Sequence, residues 1–443
     1  MKWSEQLMLD IPFNSYHDLL SEKQFAKKRG KVSQVTGLII KVEGLDAFVG
    51  EICEIEIRHS KRIILSEVVG FVDQTVLLMP LDEIDEIGPG CLVLPTGKKF
   101  KVEVSDEMLG MTFDGLGRPY DKERKIDGQF FDVNRSSPDP FERRNIEDIL
   151  PTGVRAIDGL LTIGEGQRMG IFAGSGVGKS TLLGMIARYC EADVIVIGLI
   201  GERGREVKEF IEGDLGPEGY AKSVVIAATS DMPPLVRLRG AYVATAIAEY
   251  FRDQGKKVVL MMDSVTRVAM AQREIGLATG EPPTTKGYTP SVFTTLPKLL
   301  ERSGMSSTGS ITAFYTVLVE GDDMNEPIAD SVRGILDGHI VLSRKIASDN
   351  HYPAIDIQSS LSRLMKEIVS EDHSEAAGKL RENLATYAES KDLIDIGAYQ
   401  QGTNPMIDSS IRLNHPIKNF LKQRVEDRTN YDDTTQHIAS LFR

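Results

Sequence analysis

Residues 168–181 have the sequence RMGIFAGSGVGKST, which carries the strongest structural signal in the chain. The apolar run 169–173 predicts a buried strand, and the leucines that follow residue 181 predict a helix. The turn between them ends in Gly178-Lys-Ser180 and matches the phosphate-binding pattern G-x-x-x-x-G-K-[ST], except that Ala173 holds its first position. Backbone N–H groups in such a turn can surround phosphate oxygens. The stretch therefore predicts a nucleoside triphosphate site.

The residue types in this turn suit that chemistry. Lys179 can reach the β- and γ-phosphates, and the Ser180 hydroxyl can ligate Mg²⁺. The alternative is a glycine-rich turn with an incidental lysine, but strand, turn and helix all fit phosphate binding. The residues expected to contact the nucleotide are Gly174, Ser175, Gly176, Val177, Gly178, Lys179, Ser180 and Thr181.

Composition and charge are typical of a soluble globular protein. The 443 residues are 41% hydrophobic and carry a net charge of −13, from 52 basic and 65 acidic side chains. Such a balance argues against a protein that mainly coats nucleic acid, so no specific nucleic-acid partner is expected. Cys53, Cys91 and Cys190 form no C-x-x-C pair and predict a reducing compartment. No apolar run of 18 residues and no signal-peptide pattern occur, which predicts a cytoplasmic protein.

Changes of pattern along the chain predict a multidomain protein. Residues 1–23 have the spacing of an amphipathic helix interrupted at Pro12, and they hold the only tryptophan. This is typical of an arm that docks a partner, although a helix folded back on its own chain remains open. Residues 24–95 contain short β-type runs separated by glycine and acidic turns, one of them 35–42, which predict a small β-barrel.

Residues 96–365 predict an α/β domain, in which a loop-rich connector precedes alternating strands and helices. Continuous apolar runs in this order are typical of a largely parallel sheet buried on both faces. The predicted strands are Gly170–Ala173, Val194–Leu199, Ser223–Thr229, Val258–Met262, Ile311–Leu318 and Gly338–Leu342. Residues 366–443 predict a helical domain, interrupted only at 397–405.

Two carboxylates are candidates for the chemistry. Asp263 ends an apolar run, where an acid can hold Mg²⁺ through the water shell of the metal. The next residue is Ser264, at a position where many P-loop ATPases have a glutamate that activates water. Glu202, in the segment 201–206 (GERGRE), follows the next strand after the phosphate loop and is the candidate for that role. Alternatively, Glu202 only pairs with a neighbouring arginine.

A third group would neutralise charge that develops during phosphoryl transfer, as an arginine finger does. Arg363, in the segment 360–363 (SLSR), is the candidate, delivered from a neighbouring subunit. Arg344 is the second candidate. Taken alone, either residue is as well explained as a salt-bridged surface arginine.

Several segments together resemble the catalytic subunits of the rotary F1/V1 ATPase superfamily. The chain is more closely similar to its type III secretion ATPase branch, especially to the flagellar export ATPases. The likeness to the superfamily rests on residues 173–181, 201–206, 262–263, 337–344 and 352–356. The likeness to the secretion branch rests on residues 280–293 (GEPPTTKGYTPSVF), 296–304, 309–316 and 351–357.

This resemblance implies an N-terminal β-barrel, a central RecA-like P-loop ATPase core and a C-terminal helical domain, assembled as a homohexamer that uses ATP and Mg²⁺. It assigns Glu202 as the catalytic glutamate and Asp263, with Ser180, to the Mg²⁺. Arg203 and Arg267 become site arginines near the γ-phosphate.

The resemblance also makes Arg363 the trans finger and Tyr352 the ring that stacks on adenine. The F1 subunits have a second aromatic in the adenine pocket. The matching segment here, 420–425 (FLKQRV), leaves that wall open.

The implied function is ATP hydrolysis that energises type III protein export, most closely flagellar export, by releasing export substrates from chaperones and unfolding them. Implied partners are a regulator bound through residues 1–23, a central-stalk-like protein, an export gate, chaperones and export substrates. Such a protein would associate peripherally with the cytoplasmic face of the inner membrane. The alternatives are a rotary F-type ATP synthase subunit, an RNA-translocating hexameric ATPase, and a nucleotide-binding subunit without catalysis.

Overall fold

The computed structural model describes residues 28–58, 60, 62–319, 321 and 323–442. The described residues form two compact units, one that ends at Lys99 and one that begins at Phe100. The proposed docking arm, residues 1–23, lies outside the described residues. No helix within the described ranges is long and apolar enough to cross a membrane.

The described part of the first unit contains a closed barrel of six antiparallel strands in the order β1-β2-β5-β4-β3-β6. Side chains that alternate inward, among them Ile40, Ile55 and Val93, form its apolar core. The single strand expected at 35–42 is wrong, because Gly37 adopts a left-handed φ of 56° and turns the chain into a hairpin. The strands are β1 (Gly30–Thr36), β2 (Ile39–Glu43), β3 (Glu51–Glu56), β4 (Ile63–Val72), β5 (Thr75–Pro80) and β6 (Leu92–Lys99).

The second unit is built on a mainly parallel sheet in the order β17-β16-β10-β15-β13-β11-β12-β8. All six predicted strands lie in it side by side and parallel. The connector expected to be loop contributes β8 as a parallel edge strand, and β17 pairs antiparallel at the other edge. In the same unit, β7 and β9 pair with each other in a separate two-stranded sheet. The strands of the unit are β7 (Lys101–Val104), β8 (Met111–Asp114), β9 (Gln129–Asp132), β10 (Arg168–Ala173), β11 (Val194–Ile200), β12 (Ser223–Ala228), β13 (Lys257–Asp263), β14 (Gly304–Met305), β15 (Ser310–Leu318), β16 (Gly338–Leu342) and β17 (Ile355–Ser362).

Helices connect these strands and form the C-terminal part of the chain. Long helix α5 packs on β11 and β13, as expected for a crossover in a parallel sheet. The helices are α1 (Arg155–Leu160), α2 (Lys179–Tyr189), α3 (Gly204–Glu209), α4 (Gly216–Ala221), α5 (Pro234–Asp253), α6 (Val265–Thr279), α7 (Pro290–Leu300), α8 (Pro327–Ile335), α9 (Arg344–Ser348), α10 (Met365–Ile368), α11 (Glu371–Asp395), α12 (Pro405–Leu421) and α13 (Tyr431–Ser440).

The C-terminal helices share one hydrophobic core with the phosphate-loop strand. Leu380, Ile417 and Ile438 are buried in the same cluster as Ile171 of β10. The barrel, the parallel sheet and the C-terminal helices confirm the predicted fold class. The domain boundaries after residues 95 and 365 stay predictions.

One C-terminal expectation is wrong. The chain leaves the helix between α12 and α13, at residues 422–430, where continuous helix was expected. Gln423 explains the break, because its buried amide accepts from the Arg155 N–H (2.8 Å) and donates to the Gly153 carbonyl (2.8 Å). These bonds join segments about 270 residues apart in sequence, so local periodicity does not reveal them.

Candidate active site

The phosphate loop joins β10 to α2 at the carboxyl edge of the parallel sheet, where ligands bind in such folds. Gly176 and Gly178 hold left-handed φ angles of 77° and 88°, which glycine adopts without steric cost. Val177 is buried in the core, so it anchors the turn and can contact a phosphate only through its backbone. The loop has the conformation that its sequence predicts.

Asp263 lies at the end of β13, two strands from the phosphate loop, and is 3% exposed. Its Oδ1 accepts from the Lys179 ammonium at 2.5 Å and from the Thr316 hydroxyl at 2.7 Å. Sequence reasoning missed Thr316. The sequence does contain a signal for Thr316, since a hydroxyl inside a buried apolar strand requires a hydrogen-bond partner.

Glu202 follows β11 and lies beside the same lysine, with its Oε1 3.8 Å from Lys179 Nζ. That oxygen is buried and has no hydrogen-bond partner. Burial raises the pKa of Glu202 to about 7, helped by the negative charge of Asp263 and opposed by Lys179. A partly buried carboxylate with an uncommitted oxygen is suited to hold a polar reactant such as water.

The alternative in which Glu202 pairs with a neighbouring arginine does not describe this geometry. Arg203 donates to Glu206 at 3.0 Å, and Arg205 donates to Glu209 at 2.5 Å. Both arginines are mostly exposed. Glu202 therefore faces Lys179 and Asp263.

Arg267 reaches the site from the first turn of α6. Ser264 caps this helix, since its hydroxyl accepts from the Arg267 N–H at 3.3 Å, which accounts for a serine after Asp263. A Cβ at Gly201 would lie 2.9 Å from Arg267 Cβ, so only glycine leaves room for the arginine there. The buried Nε of Arg267 has no hydrogen-bond partner.

These groups line one cleft of about 610 Å³. It brings together the phosphate loop, Glu202, Arg203 and Arg267, with Asp263 held beneath by Lys179. Arg344, at the start of α9, also lines this cleft of its own chain. That position does not suit the role of a finger donated to another subunit.

Tyr352 stands beside the loop at a second cavity of about 730 Å³. A Cβ at Gly178 would lie 3.5 Å from the tyrosine ring, so the ring covers the start of α2. The opposite lining comes from the irregular segment 422–427, including Val425. Phe420 is 0% exposed and packs edge-on against His437, so it supplies no second aromatic wall.

Arg363 is the one predicted site residue that does not lie near the cleft. It follows β17, and its N–H donates to the Asp337 carbonyl at 3.0 Å beside Arg168, where β10 begins. The phosphate loop leaves the other end of β10, five residues and about 17 Å away at the usual strand rise. Its guanidinium is exposed on that far side.

The donors in the cleft fit Mg²⁺. Ser180 lines the cleft, the Asp263 carboxylate accepts from the neighbouring Lys179, and both side chains offer hard oxygen ligands. No group of three or more His, Cys, Asp or Glu suited to a metal occurs among the described residues. Mg²⁺ needs no such group, because it is held by one or two protein oxygens together with phosphates and waters.

Comparison with known proteins agrees with this geometry. Residues 153–362 match the model of the ATP synthase alpha/beta family, nucleotide-binding domain, and residues 32–97 match the beta-barrel domain of that family. Residues 369–440 match the T3SS EscN ATPase C-terminal domain. The three matches follow one another along the chain in the order of the observed architecture.

The chain is 54% identical over 417 residues to the flagellum-specific ATP synthase of Bacillus subtilis, covering 94% of this chain and 95% of that protein. It is 52% identical over 416 residues to the type 3 secretion system ATPase of Xanthomonas euvesicatoria, with 94% of each chain covered.

Among solved structures, it matches the assembled ATPase EscN in complex with its central stalk EscO, from the enteropathogenic E. coli type III secretion system. The TM-score is 0.86 at 46% identity, over 94% of this chain and 100% of that one. The chain belongs to the family of flagellar and type III secretion ATPases.

Proposed function

We propose that this chain hydrolyses ATP to energise type III protein export, and that its own residues form most of the site. The observation that carries the proposal is the group of Lys179, Glu202 and Asp263 beside the phosphate loop. Lys179 and the N–H groups of the loop bind the phosphates. Water attacks the γ-phosphorus, the bond to the β–γ bridging oxygen breaks, and ADP and phosphate leave.

Glu202 is the residue that orients and polarises the attacking water. Its pKa of about 7 is close to that of a good proton acceptor at neutral pH, whereas an ordinary glutamate would be a weaker base. Lys179 supports the ionised form of Glu202 electrostatically. When phosphates take over the lysine, Asp263 is left free to face a cation.

Ser180 and Asp263 are proposed to hold Mg²⁺, which would neutralise charge on the phosphates. Arg267 supplies a further positive charge from α6, with its Nε uncommitted. Arg203 would have to leave Glu206 to reach the γ-phosphate. Tyr352 is proposed to stack on adenine.

Arg363 is proposed to complete the site of the next subunit in a homohexameric ring. Its position on the far side of the sheet supports this, because it cannot serve the cleft of its own chain without crossing the length of β10. The solved assembly of EscN supports a ring of like chains.

ATP hydrolysis by the purified chain as a function of pH tests the proposal. Glu202 must be ionised to accept a proton, and its folded pKa is about 7. We therefore expect kcat/KM to be level above pH 8 and to fall about 10-fold for each unit below pH 7. Lys179→Ala should show no activity at any pH. A profile that is flat between pH 6 and 8 would contradict the role of Glu202.

Tyr352→Ala should raise the KM for ATP about 10-fold with little change in kcat, since stacking on a base contributes about 1–3 kcal/mol. Tyr352→Phe keeps the ring and is the matched control, with KM expected within about twofold of wild type. Steady-state kinetics measures both parameters. Equal KM values for the alanine and phenylalanine variants would remove the tyrosine from the adenine site.

The export setting is also a proposal, with flagellar export preferred over a virulence system. We place the protein in the cytoplasm, in part at the inner membrane, with a regulator, a central-stalk-like protein, an export gate, chaperones and export substrates as partners. EscN was solved with its central stalk, which supports the stalk partner. Cys53, Cys91 and Cys190 are free and buried, as suits a reducing compartment.

Affinity capture from lysate of the source cells, with residues 1–23 present or deleted, tests the partners. A regulator that binds through this arm should be lost on deletion, while ring partners remain. Flagellar proteins among those captured would support the flagellar assignment, and virulence-secretion proteins would overturn it. An unchanged set of partners would exclude the docking arm.

A further inference from the structure

The backbone on either side of the Arg363 side chain is held by a dense set of hydrogen bonds. Asp337 is the centre of this set. Its carbonyl accepts from the Arg363 N–H at 3.0 Å, and its carboxylate accepts from Arg168. The Arg168 guanidinium donates to this carboxylate through both Nε (3.0 Å) and Nη2 (3.1 Å), a bidentate geometry that fixes orientation as well as distance.

The residue before Arg363 is held from the opposite side. The Ser362 hydroxyl donates to the Thr162 carbonyl at 2.9 Å and accepts from the buried Gln167 amide at 3.1 Å. The same amide donates to the Asp337 carbonyl at 3.2 Å. Gly338 pairs with Ser362, and a Cβ on this glycine would lie 2.5 Å from the Leu361 carbonyl oxygen, so β16 and β17 approach unusually closely here.

The guanidinium of Arg363 itself is scarcely restrained. It is exposed, and among the residues that the structure describes its only hydrogen bond is a long 3.5 Å contact to the Arg333 carbonyl. The backbone of Arg363 is thus fixed, whereas its guanidinium is only weakly restrained. If the Arg168–Asp337 salt bridge only stabilised the fold, these hydrogen bonds would not need to surround the backbone of an exposed arginine.

We propose that Gln167, Arg168, Asp337 and Ser362 form a platform that positions Arg363 for catalysis in the neighbouring subunit. The platform begins where β10 begins, and β10 ends at the phosphate loop of the same chain. One strand therefore joins the nucleotide site of a subunit to the residue that this subunit gives to the next site. Asp337 and Arg168 are positioning residues, since they lie at the end of β10 away from the phosphate loop and do not line the cleft, and this inference rests on the proposed trans role of Arg363.

The expected effect follows from the sensitivity of phosphoryl transfer to the position of the catalytic groups. A shift of about 1 Å in a group that must meet a transition state can reduce the rate about 10²-fold. Asp337→Asn removes the carboxylate that Arg168 grips but keeps the carbonyl that Arg363 binds. We expect kcat to fall about 10- to 100-fold with KM for ATP within about twofold.

A double-mutant cycle with Arg363→Ala separates action through the finger from any other action. If Asp337 acts through Arg363, Asp337→Asn should add no further loss of kcat to the Arg363→Ala chain. If it acts through β10 on the phosphate loop of its own chain, the two losses should multiply or KM should rise. Either of those results, or an unchanged kcat for Asp337→Asn alone, would overturn the platform.

Arg168→Lys serves as the second variant if Asp337→Asn does not fold. It keeps the charge, loses the two-pronged contact and should show the same cycle with a smaller loss. Asp132→Asn, which changes an exposed ion pair with Lys101, is the matched control and should leave kcat unchanged. If Arg363→Ala alone has no effect, the proposed role of Arg363 fails. If only the platform variants are silent, the platform alone fails.

Discussion

Glu202→Gln should reduce kcat about 10²- to 10⁴-fold, the range expected when a positioned proton acceptor is removed. The amide has the size of the carboxylate but cannot accept the proton of the attacking water. Lys179 and the phosphate loop are unchanged in this variant, so ATP binding should persist. Steady-state hydrolysis and equilibrium binding of ATP measure the two effects separately.

The same variant should be more stable than wild type at pH 8. The folded pKa of Glu202, about 7, lies above its ordinary value of 4.5, so the folded state holds this proton more tightly than the unfolded chain does. The resulting penalty on folding is absent below pH 4.5, grows between pH 4.5 and 7, and is complete above pH 7. Thermal unfolding should therefore show a higher Tm for Glu202→Gln at pH 8 and no difference at pH 4.5.

Glu209→Gln is the matched control for both readouts. Glu209 is an exposed glutamate on α3 that pairs with Arg205. Its conversion should leave kcat within about twofold and shift Tm little, since exposed ion pairs contribute about 0–1 kcal/mol. Near-normal activity in Glu202→Gln would show that another group polarises the water. A lower Tm at pH 8 would show that Glu202 is not strained by burial.

Arg363→Ala should reduce kcat of the assembled protein about 10³- to 10⁵-fold, the effect of an arginine finger in related phosphoryl transfer. ATP binding by separate subunits should be unchanged, because Arg363 lies at the far end of β10 from the cleft. A lower kcat of the assembly together with unchanged ATP binding by separate subunits distinguishes a residue that acts in trans from one in the cleft of its own chain.

Arg428→Ala is the matched arginine substitution, since Arg428 lies in an exposed ion pair with Glu191 at 3.9 Å. It should retain wild-type kcat. Weaker ATP binding by separate Arg363→Ala subunits would contradict the trans assignment. A kcat within about twofold of wild type would remove Arg363 from the reaction.

The sequence alone was sufficient to predict the sheet and most of the cleft, for a physical reason. Strands of a parallel sheet are buried on both faces, so each appears as a continuous apolar run. Their carboxyl ends meet at one edge, so residues that follow separate runs converge there. Lys179, Glu202 and Asp263 are associated with separate apolar runs, so the sequence predicts that they lie close together.

The features that were missed depend on contacts between distant segments. Gln423 breaks the C-terminal helix through bonds to Arg155 and Gly153, and no local pattern contains those partners. The segment 420–425 left the second aromatic wall of the adenine pocket open on sequence, and the structure shows that Phe420 lies wholly in the core. Arg344 was the second candidate for the finger on sequence, and the structure places it, at the start of α9, in the cleft of its own chain.

Each catalytic site is proposed to be shared between two copies of the chain. The most direct measurement mixes Glu202→Gln chains with Arg363→Ala chains under conditions that reassemble the ring. Each variant alone should be nearly inactive. At an equal ratio, about a quarter of the interfaces in a cyclic assembly join an intact Glu202 to an intact Arg363, so about a quarter of wild-type activity should return. Activity no greater than the sum of the separate variants would contradict the account.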